Sequence, residues 1–220
     1  KKSDVIIITL PTPLNEQLNP DLSIIKKSIK EMKDYLKRGQ MISFESTTYP
    51  GSTKELFFPI LSKNFVLGND FFLVYSPERV SPEFKTKEIN LKYGLTNTPK
   101  IVSGFSNNCR SLGQNLYKKI INKIVKSPNI KTAETSKMIE NTFRSVNIAL
   151  VNELKMFLAK IDIDIHSALK LANTKPFGFT KFDPGPGFGG HCIPVDPFYL
   201  YWLAKKKKFK LNFIKNSGLV

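Results

Sequence analysis

Short apolar runs alternate with longer helical repeats along the first half of the chain. Residues 5–10 (VIIITL) form one continuous aliphatic run, which is typical of a strand covered on both faces in a parallel sheet. Apolar residues then recur at helical spacing from Leu22 to Leu36, with Asp21 as a candidate N-cap and Gly39 as a stop. This stretch predicts one strand followed by one helix.

The same alternation continues as far as the middle of the chain. Ser52 and Glu55 have the spacing of a capping box and predict the start of a helix, and another helix is expected from about Ser106. Further strands are predicted over Met41–Ser46, Phe71–Ser76 and Ile101–Ser103. Successive strand and helix units of this kind predict the α/β fold class, as part of a Rossmann-like domain with a mostly parallel sheet.

From Ala133 onward the pattern is that of a long helix without glycine or proline. Seven apolar residues at spacings of three and four predict a single buried stripe: Ile139, Phe143, Val146, Leu150, Leu154, Phe157 and Ile161. Lys137 and Asn141, one turn apart, fall on the opposite face, and the simplest interpretation is that both are solvated. We therefore expect two domains, residues 1–132 with the sheet and residues 133–220 with helices.

Polar, proline-containing segments follow each of the first three predicted strands. They read PTP, STTYPG and SPER. In parallel sheets, ligands bind beyond the carboxyl ends of the strands, where these segments are expected to lie together. Each alone is also compatible with an ordinary turn, so only their combination indicates a ligand site.

The chain is strongly basic, with 34 Lys and Arg against 18 Asp and Glu and a net charge of +16. Because the lysines are scattered, apart from residues 205–208, a solvated surface is the favoured interpretation; a non-catalytic nucleotide- or nucleic-acid-binding module is the alternative. No segment has the length of a membrane helix or the layout of a signal peptide, so a cytoplasmic location without a membrane partner is expected. Two distant cysteines and no histidine cluster predict neither a disulfide nor a metal site.

The segment GPGFGGHCIPVDPFYL, residues 185–200, carries the strongest chemical signal. Its glycines permit a close backbone approach to a ligand, the Cys192 thiol is a potential nucleophile, and Asp196 follows four residues later. Two interpretations remain open from these residues alone. His191 could activate the thiol in a cysteine hydrolase, although adjacent residues of an extended loop point apart, or groups from elsewhere in the chain could serve the thiol.

Five segments, in this order and at this spacing, resemble the UDP-sugar 6-dehydrogenases, the family that oxidises UDP-glucose, UDP-N-acetylglucosamine and UDP-N-acetylmannosamine. They are DVIIITLPTPL, ESTTYPGST, YSPERVSP, AETSKMIENTFRSVNIALVNEL and GPGFGGHCIPVDPFYL. The last segment looks most like the N-acetylglucosamine branch. The resemblance implies NAD as cofactor, a UDP-sugar as substrate, a homodimer formed through the central helix, and a role in polysaccharide precursor synthesis; nucleic acid is not an expected partner.

By this resemblance the oxidation of the sugar C6 alcohol to a carboxylate passes through a thiohemiacetal and a thioester on Cys192. Lys137 and Asn141 match the residues that hold the developing oxyanion, and Asp196 matches an aspartate that takes part in proton transfer. Glu78 matches the base proposed for thioester hydrolysis, and Thr48 the threonine that positions water beside it.

Other residues match binding positions of the same family. Pro11 and Thr12, together with Thr48, are expected at the dinucleotide. The sugar nucleotide is expected to contact Glu78, Arg79, Gly187, Phe188, Gly189 and Gly190.

The sequence departs from the family pattern at both ends. It has no GxGxxG loop after a first strand, and no second α/β domain of the kind that grips the UDP moiety follows its helices. We therefore expect this chain to be a piece of a longer protein, with the C-terminal UDP-binding domain absent and turnover absent or very weak in the piece alone.

Overall fold

The computed structural model of the chain describes residues 3–62, 65–80, 93–187, 189 and 193–218. The chain forms two compact units, Lys1–Lys137 and Met138–Val220. A sheet with its covering helices makes up the first unit, and helices make up the second. The predicted α/β class with a following helical part is confirmed.

Over the described residues, the sheet of the first unit has five strands in the order β1-β2-β3-β4-β5. They are β1 (Val5–Ile8), β2 (Gln40–Phe44), β3 (Phe71–Tyr75), β4 (Lys100–Gly104) and β5 (Ile124–Lys126). The first three strands are parallel, β4 runs antiparallel to β3, and β5 is parallel to β4. The sheet is therefore mixed, and β5 is an element that the sequence pattern did not predict.

The core of this unit lies on the central strands. All five residues of β2 are buried, and Leu73, Val74 and Tyr75 of β3 are fully buried. The prediction that the first strand is covered on both faces is wrong, because the side chain of Ile7 is 47% exposed. In the described sheet β1 pairs with β2 alone and is the first strand in the order, and an edge position explains why an aliphatic run reaches solvent.

Among the described residues of the first unit, three helices follow strands. They are α1 (Ser23–Met32), which continues into a 3-10 turn at Lys33–Tyr35, α2 (Phe58–Leu61), and α3 (Asn107–Tyr117). Asp21 Oδ1 accepts the Ser23 N–H at 2.9 Å at the start of α1, and Ser106 accepts the Cys109 N–H as the N-cap of α3. The helix starts predicted at Asp21 and Ser106 are thus close to those observed.

The predicted capping box at Ser52 and Glu55 is wrong. The Ser52 side chain makes no cap hydrogen bond, and a π-helical turn, Thr53–Phe57, precedes α2. The Ser52 hydroxyl instead donates to the carboxylate of Glu134 at 3.1 Å. A distant carboxylate has taken the place of the local cap, which sequence spacing cannot reveal.

Glu134 lies on the long helix α4 (Ile130–Ala159) and is fully buried. Besides Ser52, its oxygens accept the Gly51 N–H, the Thr53 N–H at 3.0 Å and the Thr53 hydroxyl at 2.6 Å. Burial raises the pKa of Glu134, and the hydrogen bonds from Thr53, Gly51 and Ser52 oppose that rise. The carboxylate therefore fixes the loop after β2 to α4 through four donors.

The described part of the second unit contains the rest of α4 and the shorter helices α5 (Ile165–Ala172), α6 (Asp196–Lys206) and α7 (Asn212–Ser217). A small apolar cluster of Val151, Ile165 and Leu169 joins α4 to α5. Asp164 caps α5 by accepting the N–H groups of His166 and Ser167. Over the part of the chain that the structure describes, no helix is both long and apolar enough to span a membrane.

The prediction that the apolar stripe from Ile139 to Ile161 is buried is wrong. Six of its seven residues are exposed, from 39% at Leu154 to 59% at Ile139. Besides Met138, the buried face of α4 carries mostly small and polar side chains, among them Glu134, Asn141, Ser145, Ala149 and Asn152. Periodicity identifies which residues share a helix face, but it does not identify what covers that face.

We expect Glu134→Gln to lower the free energy of unfolding of the chain by about 3 kcal/mol. The amide retains the shape of the side chain but can accept fewer of the buried donors and brings N–H groups among them. Urea denaturation followed by circular dichroism measures the loss. Glu153→Gln, at an exposed position of the same helix, is the matched control and should change the value by less than about 0.5 kcal/mol. Equal midpoints for both variants would contradict this account of the loop.

Candidate active site

The loops after β1 and β2 are hydrogen-bonded to each other at the carboxyl edge of the sheet. The Thr12 hydroxyl donates to the Thr47 carbonyl at 2.7 Å, and the Ser46 hydroxyl donates to the Leu10 carbonyl at 2.8 Å. Pro11, next to Thr12, is exposed. The structure therefore places the predicted cofactor residues Pro11 and Thr12 beside the loop that carries Thr48.

Thr48 is fully buried, and its hydroxyl has no hydrogen-bond partner among the described residues. The neighbouring Thr47 is only partly buried. A hydroxyl that positions water must reach a site that water can enter. On residue exposure alone, Thr47 is the better placed of the two, and the sequence pattern did not single it out.

Glu78 follows β3 at the same edge and has a half-exposed side chain, 42% of which is accessible. Its Oε1 accepts the N–H groups of Arg79 at 2.7 Å and Val80 at 2.6 Å. Its Oε2 lies 3.3 Å from the Lys100 ammonium. The carboxylate thus has a defined orientation and is surrounded by donors.

These donors determine the protonation of Glu78. Burial pushes the pKa of the carboxyl up, but the Val80 N–H, the Lys100 charge and the Arg79 N–H together outweigh burial and hold the pKa below its ordinary value. Glu78 is therefore ionised at neutral pH. Arg79 itself donates through Nη1 to the Pro99 carbonyl at 2.8 Å, so part of the guanidinium is used within the fold.

In the second unit, Asn141 and Asp196 form a buried hydrogen-bonded pair. Nδ2 of Asn141, on α4, donates to Oδ2 of Asp196, and the two residues are 5% and 2% exposed. Asp196 is the first residue of α6. Lys137 lies one turn before Asn141 on α4 and is partly exposed. The interpretation of Asn141 as a solvated residue is thus wrong, whereas Lys137 retains access to solvent.

The glycine segment before Cys192 is held by a residue that the sequence pattern did not identify. Asn152 Oδ1 accepts the Gly185 N–H at 2.9 Å, and its Nδ2 donates to the Gly187 carbonyl at 3.3 Å. Gly187 has a φ of +81°, which favours glycine. The contact joins residues that lie 33 and 35 positions apart, with a helix between them, so no local signal in the sequence could have suggested it.

Several predicted residues lie outside the described part of the chain. They are Cys192, His191, Phe188 and Gly190. Gly189 is described, and its φ of +64° again favours glycine. Among the described residues, no group of three or more His, Cys, Asp or Glu side chains could hold a metal ion.

Comparison with known families gives two adjoining matches. Residues 1–121 match the NAD binding domain of the UDP-glucose/GDP-mannose dehydrogenase family, and residues 131–220 match its central domain. Together these matches include the loops after β1, β2 and β3, which carry Pro11, Thr48 and Glu78, and most of the helix that carries Asn141.

Named relatives agree with this family. The chain is 41% identical over 203 residues to UDP-N-acetyl-D-glucosamine 6-dehydrogenase of Pseudomonas aeruginosa, a match that covers 91% of the chain and 46% of that protein. It is 36% identical over 209 residues to UDP-N-acetyl-D-mannosamine dehydrogenase of Pyrococcus horikoshii, covering 94% of the chain and 48% of that protein. The chain thus spans about half the length of the curated relatives it matches.

Solved structures resemble the fold over the whole chain. The UDP-D-ManNAc dehydrogenase from Pyrococcus horikoshii has a TM-score of 0.86 at 33% identity and covers 100% of this chain, which matches 50% of that one. The UDP-N-acetyl-mannosamine dehydrogenase from Staphylococcus aureus has a TM-score of 0.80 at 33% identity, with coverages of 99% and 49%. With both of its parts matched by the family's own domains, this chain belongs to the UDP-glucose/GDP-mannose dehydrogenase family.

Proposed function

We propose that this chain carries the chemical centre of an NAD-dependent UDP-sugar 6-dehydrogenase. The observation that carries the proposal is the buried Asn141–Asp196 pair. Burying a carboxylate and an amide is costly unless they are hydrogen-bonded, and the Asn141–Asp196 hydrogen bond offsets that cost. Asp196, one member of the pair, follows the candidate nucleophile Cys192 by four residues in the sequence.

The residues at the carboxyl edge of the sheet fit a dinucleotide. Pro11 is exposed, Thr12 is partly exposed, and the hydrogen bond between Thr12 and Thr47 fixes the two loops as one surface. Ligands of α/β sheets bind at such an edge. NAD, when bound there, accepts the hydride that leaves the sugar C6 in each of the two oxidations.

We propose Cys192 as the nucleophile. Its thiolate adds to the C6 aldehyde formed in the first oxidation, and loss of a second hydride from the resulting thiohemiacetal leaves a thioester. Water then replaces sulfur at C6 to give the carboxylate. In balance, one alcohol, two NAD⁺ and one water give one carboxylate, two NADH and three protons.

Asn141 and Lys137 are suited to the oxygen at C6, which gains negative charge when sulfur adds. The Asn141 amide has two N–H groups, and one of them donates to Asp196. The bond to Asp196 fixes the plane of the amide and leaves the second N–H for the oxyanion. Lys137 supplies a positive charge one turn away, and Asp196 is the proposed partner for proton transfer.

Glu78 is the proposed base for thioester hydrolysis. A base must be ionised before it can accept a proton from water, and the low pKa of Glu78 meets that requirement at neutral pH. The water would be oriented by a threonine of the loop after β2. The family resemblance favours Thr48 for that task, and residue exposure favours Thr47.

The finer assignments are also proposals. UDP-N-acetylglucosamine is the proposed substrate, contacted by Arg79 and by the loop residues Gly187, Phe188, Gly189 and Gly190. We propose that residues 1–132 serve the dinucleotide, that residues 133–220 serve the sugar, and that the protein works in the cytoplasm. The product would supply a uronic acid for surface polysaccharide.

A homodimer through α4 is the proposed assembly. The exposed stripe of Ile139, Phe143, Leu150, Leu154, Phe157 and Ile161 is a contiguous apolar face of the kind that marks a protein interface. A two-fold contact would bury the same stripe on both copies.

The full-length gene product should form two NADH for each UDP-N-acetylglucosamine consumed, and Cys192→Ala should abolish the second because no thioester can form. Absorbance at 340 nm against sugar consumed measures the ratio, and residues 1–220 alone should show little or no turnover. Cys109→Ala, at the other cysteine, should keep the ratio of two. A ratio of one NADH per sugar in the unsubstituted protein, or an unchanged ratio in Cys192→Ala, would reject the mechanism. Binding of a DNA duplex, without binding of any UDP-sugar, would favour the alternative of a non-catalytic nucleic-acid-binding module.

Asn141→Ala should lower kcat by about 10²–10³-fold, the usual cost of removing one oxyanion donor, while KM changes by no more than a few-fold. Asn147→Ala is the control, since among the described residues Asn147 donates to the Phe143 carbonyl within the same helix, and its kcat should stay within about twofold of that of the unsubstituted enzyme. If kcat falls by less than threefold in Asn141→Ala, Asn141 is not part of the oxyanion site.

Phe143→Glu should convert the full-length protein from a dimer to a monomer, because a buried unpaired carboxylate opposes association. Light scattering coupled to gel filtration measures the mass. Lys155→Glu changes the charge at an exposed position of the same helix outside the stripe and should leave the dimer intact. If the unsubstituted protein is already a monomer, the proposed homodimer is wrong.

A further inference from the structure

A buried ionic cluster lies directly behind Glu78, and none of its other members was singled out by the sequence pattern. Lys100, on β4, is 5% exposed. Its ammonium lies 3.2 Å from Glu45 Oε2 and 3.3 Å from Glu78 Oε2. One buried cation is therefore shared by two carboxylates, of which only Glu78 has substantial access to solvent, at 42% against 9% for the Glu45 side chain.

A residue of α3 also holds the Lys100 ammonium in place. Tyr117, on α3, donates its hydroxyl to Glu45 Oε1, and its oxygen lies 2.8 Å from the Ser43 hydroxyl. The Tyr117 ring lies under the ammonium, whose nitrogen is 5.0 Å from the ring centroid. Burial and the Glu45 charge raise the pKa of Tyr117, so the phenol stays protonated and keeps donating to Glu45.

We propose that Lys100 is the positioning residue of Glu78, and that Glu45 and Tyr117 keep Lys100 in place. This inference rests on the proposed function, since it gives Glu78 the role of base in thioester hydrolysis. An ammonium that is fixed by a second carboxylate and by an aromatic ring cannot follow Glu78 into solvent. It therefore holds Oε2 at one point at the end of β3, while the N–H groups of Arg79 and Val80 hold Oε1.

The cluster controls a defined chemical step. Water attacks the thioester carbon and gives its proton to Glu78; the C–S bond then breaks, and the electron pair leaves with the Cys192 sulfur. Glu78 must be ionised at the start of this step. Lys100 favours the ionised form, and Glu45 opposes it by sharing the ammonium and by its own negative charge.

The two neighbours of Glu78 are therefore predicted to act in opposite directions. Replacing Glu45 by Gln leaves the whole Lys100 charge to Glu78 and should lower the Glu78 pKa further. Replacing Lys100 by Met in that same background removes the cation and should raise it. Two further titratable groups of the cluster are unchanged in both variants: Arg79, whose backbone N–H donates to Glu78 Oε1, and Tyr117, whose hydroxyl donates to Glu45.

The first test is a carboxyl-carbon NMR titration of this chain, with Glu78→Gln used to identify the signal of Glu78. The single variant Glu45→Gln and the double variant Glu45→Gln/Lys100→Met both avoid an unpaired buried charge, which protects the fold. We expect the Glu78 curve to move to lower pH in the single variant and to higher pH in the double variant. Lys100→Arg should keep the curve close to that of the unsubstituted chain.

The second test is the pH dependence of kcat in the full-length gene product. Relative to Glu45→Gln, the double variant should lose roughly tenfold in kcat on the acid limb and recover to within about threefold at the alkaline plateau. At acid pH it should also accumulate the thioester on Cys192, visible by intact-protein mass spectrometry. A merely structural role for Lys100 would lower kcat equally at every pH and leave no adduct.

The outcomes separate this inference from the function on which it rests. Superimposed Glu78 titration curves in the single and double variants would overturn the role of Lys100, whatever the activity. If the Glu78 titration curves differ but the two variants of an active enzyme have the same acid limb in their kcat–pH profiles, the role of Lys100 in hydrolysis would be overturned. If the curves separate but the unsubstituted full-length protein oxidises no UDP-sugar, the proposed function fails and the hydrolytic role of Lys100 fails with it.

Discussion

The large polar side chains that α4 buries need hydrogen-bond partners, and much of the candidate site follows from how Glu134, Asn141 and Asn152 are paired. An unpaired buried donor or acceptor costs more free energy than a typical native hydrogen bond contributes. Glu134 meets the requirement with the loop after β2, Asn141 with Asp196, and Asn152 with the glycine turn. Three segments that are distant in sequence are thereby attached to one helix, each through a specific geometry.

The charges at the end of β3 follow a related rule. A buried ammonium needs a counterion, and Lys100 has two. Glu45 is fully engaged inside the protein, so its charge mainly offsets that of Lys100. Glu78 is the partner that reaches solvent. A single buried lysine thus connects the interior of the sheet to a carboxylate that can take part in chemistry, which explains how an exposed loop residue acquires a fixed orientation.

The sequence predicted the positions of strands and helices better than it predicted their burial and tertiary contacts. The strands around Ile42, Leu73 and Val102 and the start of α3 were predicted within one or two residues, because aliphatic runs and capping residues are local signals. Burial depends on distant segments, so the apolar stripe of α4 was predicted as buried but is exposed. The same limit applies to the site: the motif order indicated Glu78, Asn141 and Asp196, whereas Lys100, Glu134 and Asn152 depend on tertiary contacts that no spacing encodes.

The attachment of the glycine turn to α4 also bears on how chains of this type can vary in length. Asn141 and Asn152 are separated by eleven positions of one helix, and each added helical residue turns all later side chains by about 100°. An insertion between them would swing Asn152 away from Gly185 and Gly187 even if every other residue were kept. Residues 174–184, in contrast, lie outside any helix or strand and can absorb extra residues at little energetic cost. Evolutionary change in chain length is therefore expected to accumulate in that loop and to spare the helical stretch from Asn141 to Asn152.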